Sequence, residues 1–244
     1  NFERGKTMNY NDYLHICDES KYLISMTTPE RIVNLGLRLG FCSETKVLDL
    51  CCGYGEMLKI WNDVFDIQGV GVDICNEFIE IGKKRQRDID KIELICANVL
   101  DYEDNVKYDV VCCTEFFGDI QDIKGTISLL EKHSKPNSKL IFGRLYSKVD
   151  NPPKELTDFD GEIETLDVIN RKIRECGYNI VAIASDTDAQ WENYVTWSAK
   201  RDIEHLRKFP DDEKTKEWLN KWYDVYFKYR RLYEGWALFG IEKF

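Results

Sequence analysis

The segment Val47-Leu48-Asp49-Leu50-Cys51-Cys52-Gly53-Tyr54-Gly55-Glu56 constrains this chain more than any other stretch. An apolar run passes through one acid into two spaced glycines and then directly into an amphipathic stretch, the pattern of a strand turning into a helix. Such a turn takes glycine where φ is positive or where a ligand must approach with no Cβ in the way. Gly53 and Gly55 meet that need. The helix beyond them offers N–H groups without intrahelical partners to the negative end of a ligand, here a carboxylate.

On either side of this turn, short apolar runs alternate with amphipathic ones, the signature of βαβ units and a parallel sheet. Strands are predicted over 47–50, 69–74, 92–97, 108–113, 139–143 and 180–184, with helices over 57–65, 78–87, 120–133 and 161–176. Thr28 and Pro29 open a helix that runs to about Leu39 and stops at Gly40. A last apolar run, 236–241, comes after about fifty residues that read as a helical insert. Within it Trp218, Trp222, Val225, Tyr226, Tyr229, Leu232 and Tyr233 form one stripe at helical spacing.

Composition narrows the function. With 34 basic and 44 acidic residues among 244, the net charge is −10, which disfavours a nucleic-acid partner because that affinity rests on clustered Lys and Arg. The longest stretch free of Asp, Glu, Lys and Arg is ten residues, 176–185, short of the roughly 18 needed to span a bilayer. No export signal precedes the first helix, and the nine cysteines contain no C-x-x-C pair. Most of them lie in apolar runs, where a thiol acts as a small buried hydrophobe. The expectation is a reduced, cytoplasmic protein with no membrane segment and no metal.

Dinucleotide enzymes place G-x-G-x-x-G at the same turn, but the third position here is Leu58. Asp49, four residues before Gly53, suits an ammonium better than a pyrophosphate, so an amino-acid-like ligand is favoured. At these residues the chain resembles the class I S-adenosylmethionine (SAM) dependent methyltransferases, whose first motif is D-x-G-x-G-x-G. Asp49, Gly53 and Gly55 match, while Cys51 replaces the first glycine. A faint further similarity to uncharacterised bacterial members lies in Asp188-Ala-Gln-Trp191 and Gly235-Trp236.

The resemblance implies an α/β, Rossmann-like, doubly wound sheet of seven strands, mainly parallel with an antiparallel last strand, under a helical cover. It implies SAM as cofactor and S-adenosylhomocysteine as product, held by Asp49, Cys51, Gly53, Gly55, Asp73, Ile74, Asn98, Val99 and Thr114. Asp73 would accept both ribose hydroxyls. Asn98 and the Val99 N–H would read the adenine edge, with Asp101 the rival if the register shifts by three.

The catalytic candidates are Glu115, Tyr146 and His15. Glu115 comes after the fourth strand, in a segment that resembles the one the family places beside the sulfonium, where the resemblance implies that it either stabilises that cation or takes a proton from the acceptor. His15 lies among Tyr10, Tyr13 and Tyr22, in a segment that folds over the active site in many small-molecule methyltransferases. Trp191, Tyr194 and Trp222 are candidate acceptor walls. Asn151-Pro152-Pro153 matches part of the N-P-P-[FY] signature of nucleic-acid methyltransferases, but it comes after the fifth strand and lacks the aromatic, so it reads as a rigid turn.

The layout expected is one domain, with a cap segment over 1–27, a SAM-binding core over 28–187, the helical cover over 188–234 and the final strand over 235–244. The activity expected is methyl transfer to oxygen, nitrogen or carbon of a small molecule. A nicotinamide-dependent oxidoreductase and an inactive SAM-binding module stand as alternatives.

Overall fold

A computed structural model of the chain describes residues 23, 25–114 and 122–243. In chain order the elements are α1 (Pro29–Arg38), β1 (Lys46–Leu50), α2 (Glu56–Phe65), β2 (Gln68–Asp73), α3 (Asn76–Arg85), β3 (Ile92–Cys96), β4 (Tyr108–Cys113) and α4 (Ile123–Lys132). They continue with β5 (Ser134–Ser147), α5 (Lys154–Asp160), α6 (Leu166–Glu175), β6 (Asn179–Ser185), α7 (Asp188–Lys208), α8 (Glu213–Val225), a π-helical turn (Tyr226–Arg230), α9 (Arg231–Tyr233) and β7 (Glu234–Glu242).

The seven strands form one sheet in the order β3-β2-β1-β4-β5-β7-β6, and β7 runs antiparallel to both of its neighbours. Alternate residues of each strand face opposite sides, so the sheet carries two cores. Leu48, Val111 and Phe142 pack with Ile127 of α4 and Ile169 of α6. Val47, Cys112 and Ile141 pack with Leu35 of α1, Trp61 of α2 and Trp191 of α7. Helices on both faces explain why the central strands read as unbroken apolar runs.

Several features differ from the sequence reading, among them the start of α6 at Leu166 and not at Gly161, and of β5 at Ser134 and not at Lys139. β5 continues past Gly143 to Ser147 because β7 pairs with it from Leu140 to Ser147, so Tyr146 lies inside a strand. Asn151-Pro152-Pro153 is not a bare turn: Pro153 caps the short helix α5, which Gly161 ends at φ +80°. The aromatic stripe also breaks. Val225 and Tyr226 are buried, yet Leu232 is 58% exposed, because the π-helical turn adds residues to the repeat and rotates the stretch beyond it.

The insert itself is helical as expected. Thr187 and Gln190 form a capping box at the start of α7, and Asp212 caps α8. Asp188-Ala-Gln-Trp191 forms the first turn of α7, and Gly235-Trp236 lies within β7. Among the described residues, no helix is long and apolar enough to cross a membrane. The eight described cysteines are free thiols: Cys75, Cys112 and Cys113 are buried, whereas Cys42 and Cys96 are exposed and are not the buried hydrophobes the apolar runs implied.

Candidate functional site

The β1–α2 turn holds three residues at positive φ within five positions: Cys51 at +63°, Gly53 at +56° and Gly55 at +70°. Two are the expected glycines. Cys51 keeps the backbone of the glycine it replaces despite its Cβ, at a cost of about 1–2 kcal/mol. A Cβ on Gly55 would meet Leu94 Cδ2 at 2.6 Å, so this turn is pressed against β3 as well as left-handed.

Asp73 ends β2 beside that turn and is 7% exposed, so it is not the solvated strand-end acid it resembles in sequence. Its Oδ2 accepts the Gly53 N–H at 2.8 Å and its Oδ1 accepts the Cys75 N–H at 2.9 Å. The Ile74 N–H also faces this carboxylate, so backbone donors already take most of its roughly four acceptor positions. Burial raises the Asp73 carboxyl, opposed by these backbone donors. Ile74, the next residue, is 46% exposed on the same edge.

Asp49 sits one residue inside β1, 1% exposed, and not at an open strand end. The Cys112 thiol faces its Oδ1 at 3.3 Å. Burial pushes the Asp49 carboxyl up to about 7, and the nearby Asp73 charge adds to the rise. An acid held this way gains most from a cation brought close to it.

At the end of β3, Asn98 and Asp101 belong to one turn: the Asn98 amide donates to Asp101 Oδ2 at 3.0 Å, and its Oδ1 accepts the Leu100 N–H at 3.0 Å. The two rivals of the sequence reading are therefore partners, with Asn98 exposed and the Val99 side chain buried. Thr114 comes directly after β4, and its carbonyl lies so near Gly143 that a Cβ there would meet it at 2.0 Å. Glu115 and His15 lie outside the described residues.

Tyr146 is buried in β5, opposite Gly235 of β7. A Cβ on Gly235 would meet the phenol oxygen at 2.5 Å, so the absent side chain makes room for the ring. Burial raises the Tyr146 hydroxyl, and the Asp186 carboxylate adds to it. The residues of β1, β2, β3 and β4 thus share one sheet edge with Tyr146, as the C-terminal edge of an open α/β sheet requires of a ligand crevice.

Pattern alone missed the charged cluster around Arg230. Arg230, in the π-helical turn, is buried and ion-pairs with Asp160 and, at 3.4 Å, with Glu234. Its guanidinium lies 4.7 Å from the Trp222 ring, 5.1 Å from Phe159 and 5.7 Å from Trp191. Asp160 and Glu234 are 74 residues apart and carry no local signature, so only the fold joins them. Among the described residues no group of three or more His, Cys, Asp or Glu could hold a metal ion.

Comparison with known proteins gives a consistent picture. A family model described as a methyltransferase domain matches residues 25–221. The uncharacterised protein YjhP of Escherichia coli is 26% identical over 88% of this chain and 91% of its own length. A SAM-dependent methyltransferase from Thiobacillus denitrificans, solved with S-adenosyl-L-homocysteine, superposes with a TM-score of 0.86 at 23% identity, covering 94% of this chain and 97% of that one. The malonyl-[acyl-carrier protein] O-methyltransferase of Priestia megaterium is 27% identical over 42% of this chain, which spans 37% of that relative.

Proposed function

This chain belongs to the methyltransferase domain family, and from that premise we propose that it transfers a methyl group from SAM to a small-molecule acceptor. The observation that carries the reading is the β1–α2 turn joined to Asp73: positive φ at Cys51, Gly53 and Gly55, with Gly53 tied to the acid of the next strand. The residues fit the cofactor's chemistry. Asp49, buried and raised to about 7, suits the cationic amino-acid end, Asp73 keeps the remainder of its acceptor positions for a diol, and the Asn98 turn with the Val99 N–H suits the base.

The cofactor supplies an electrophilic methyl on a sulfonium. The chain's own residues bind, align and exclude water, which is where most of the rate of such an in-line transfer arises. Ile74 and Thr114 flank the crevice, and Tyr146 stands on its acceptor side. Glu115 and His15 complete the catalytic set in this reading. Residues 28–187 form the cofactor core and 188–234 the cover over the acceptor, with 1–27 as cap and 235–244 as final strand. The small acceptor is in keeping with a relative such as the demethylmenaquinone methyltransferase of Staphylococcus saprophyticus.

Calorimetric titration with SAM and S-adenosylhomocysteine, with NADH and NADPH as controls, tests it. Micromolar binding of the first pair alone is the expected result. Binding of a nicotinamide cofactor instead would assign the crevice to hydride transfer and overturn the reading.

A further inference from the structure

The sheet ends in two unlike edges. β3 closes one side with five residues that include Glu93 and follow Lys91, which ion-pairs with Asp66 at 2.6 Å. β6 closes the other side with Asn-Ile-Val-Ala-Ile-Ala-Ser, seven residues without a charge or a proline. Charged side chains and prolines keep an open strand edge from taking up another strand, and β6 has neither. A register shift between Ile180 and Ala182 bends its first half, which leaves Ala182 to Ser185 as the regular edge. Among the described residues β6 pairs with β7 alone, so the backbone groups on its outer side have no ladder partner.

A helix lies along that regular stretch. Arg31, Asn34, Leu35 and Arg38 recur at helical spacing on one face of α1, and with residues 182–184 of β6 they line a groove of about 150 Å³. Leu35 and Ala182 are buried and give the groove its apolar side, while Ile183 is 45% exposed. At about 30 Å³ per water molecule in the liquid, the groove takes roughly five non-hydrogen atoms, which is one side chain and no larger ligand.

The charge lining this groove has one sign. Arg31 and Arg38 stand two helical turns apart, about 10 Å along the axis, and Arg38 is exposed. The nearby acids are engaged elsewhere: Asp186 accepts the Trp236 N–H and already feels Arg31, and Asp188 lies 4.0 Å from Lys148 and 3.5 Å from Arg231. In a chain of net charge −10 two arginines beside a bare strand edge are a local inversion. Alternate residues of an added strand lie about 6.8 Å apart on one face, so two carboxylates at that spacing fall between the arginines.

We propose that the β6 edge and the Arg31–Arg38 face of α1 form a docking groove for an extended acidic peptide of a partner protein, which joins the sheet as an eighth strand and directs alternate carboxylates at the two arginines. Backbone pairing supplies the affinity, and the arginines choose the sequence. β6 lies four strands from β1, so this surface is separate from the β1–α2 turn and independent of the methyltransferase reading.

Fluorescence polarisation with the full chain tests it, using the labelled peptides Thr-Glu-Val-Glu-Val-Glu-Thr and Thr-Lys-Val-Lys-Val-Lys-Thr. The acidic peptide should bind at least about tenfold more tightly than the lysine one. Two forms of the acidic peptide, N-methylated at alternate residues and offset by one, should differ by about tenfold or more, because only every second N–H of an added strand faces the sheet. Arg31→Gln and Arg38→Gln should each weaken the acidic peptide by about threefold or more, and leave the neutral Thr-Gln-Val-Gln-Val-Gln-Thr unchanged. Circular dichroism reports that these surface variants fold. Equal binding of the acidic and lysine peptides, or equal losses in the two N-methylated forms, would overturn the proposal. So would a chain that sediments as a dimer and takes up no peptide, its edge held by a second copy, or a monomer that takes up none, its edge held by residues of its own chain. Oligothymidylate binding as tightly as the acidic peptide would assign the arginines to polyanions at large and overturn it as well.

Discussion

The Asp73 carboxylate accepts the N–H of Gly53 at 2.8 Å, so the acid that ends the second strand also holds the turn that ends the first. One residue thereby couples two parts of the proposed cofactor crevice. Its other oxygen takes the Cys75 N–H, so the same side chain sets the start of α3.

Asp73→Ala therefore does two things. It removes the proposed ribose acceptor, and it leaves two backbone donors of a buried turn unpaired, at about 1–3 kcal/mol each. The expected outcome is lost SAM binding together with a loss of about 2–6 kcal/mol in urea unfolding of the ligand-free protein. Unfolding at the wild-type midpoint would show that Asp73 does not brace the turn.

Cys51 occupies a left-handed backbone position. Cys51→Gly relieves about 1–2 kcal/mol of strain and gives back about 0.5–1 kcal/mol in chain entropy, so it should leave stability within about 1 kcal/mol of wild type. Cys51→Val puts a β-branched side chain at a φ it strongly resists, and should destabilise by more than about 2 kcal/mol. Equal melting temperatures for the two variants would refute the strained backbone.

Asp49 makes stability fall as pH rises. Its folded-state carboxyl lies near 7, above the usual value of 3.8, so between these two the folded chain binds more protons than the unfolded chain. The ligand-free protein should thus gain stability on acidification through neutral pH toward the unfolded value, over the part of that window where other carboxylates stay ionised. Asp49→Asn should flatten this slope and be more stable than wild type at about pH 8. The converse holds for the cationic cofactor: its affinity for wild type should rise as Asp49 ionises. Parallel pH slopes for wild type and variant in denaturant melts would remove Asp49 from that role.

Gly235→Ala separates cofactor binding from turnover. The added methyl would sit 2.4 Å from Tyr146 Cζ, so the ring must turn or β5 and β7 must part, at about 1–3 kcal/mol. S-adenosylhomocysteine affinity should stay within about twofold of wild type, because β7 lies three strands from the β1 turn of the proposed cofactor crevice, while kcat with an accepted substrate drops by about tenfold or more. Unchanged kcat would place Tyr146 outside the acceptor site.

Much of this molecule was legible in its residues. The strand-to-helix turn at 47–56 and the acid at Asp73 are local features, written in consecutive residues because a turn with positive φ needs glycine at fixed positions. The alternation of apolar and amphipathic runs marked the parallel sheet, since strands buried on both faces must be apolar throughout. The insert between β6 and β7 was visible because fifty periodic residues cannot be a hairpin.

The tertiary structure decided what depends on partners far apart in the chain. Tyr146 is a strand residue only because β7 pairs beside it. Asn98 and Asp101 read as rivals until one turn made them partners. Cys51 reads as a small substitution, yet the fold holds it at φ +63°. The cluster of Asp160, Asp186, Arg230 and Glu234 has no spacing to betray it, because its members come from α5, the end of β6, the π-helical turn and the start of β7. Local backbone geometry is dictated by neighbouring residues, so sequence determined the β1–α2 turn; burial and charge pairing are set by whatever packs alongside, so the charged cluster around Arg230 took form only in three dimensions.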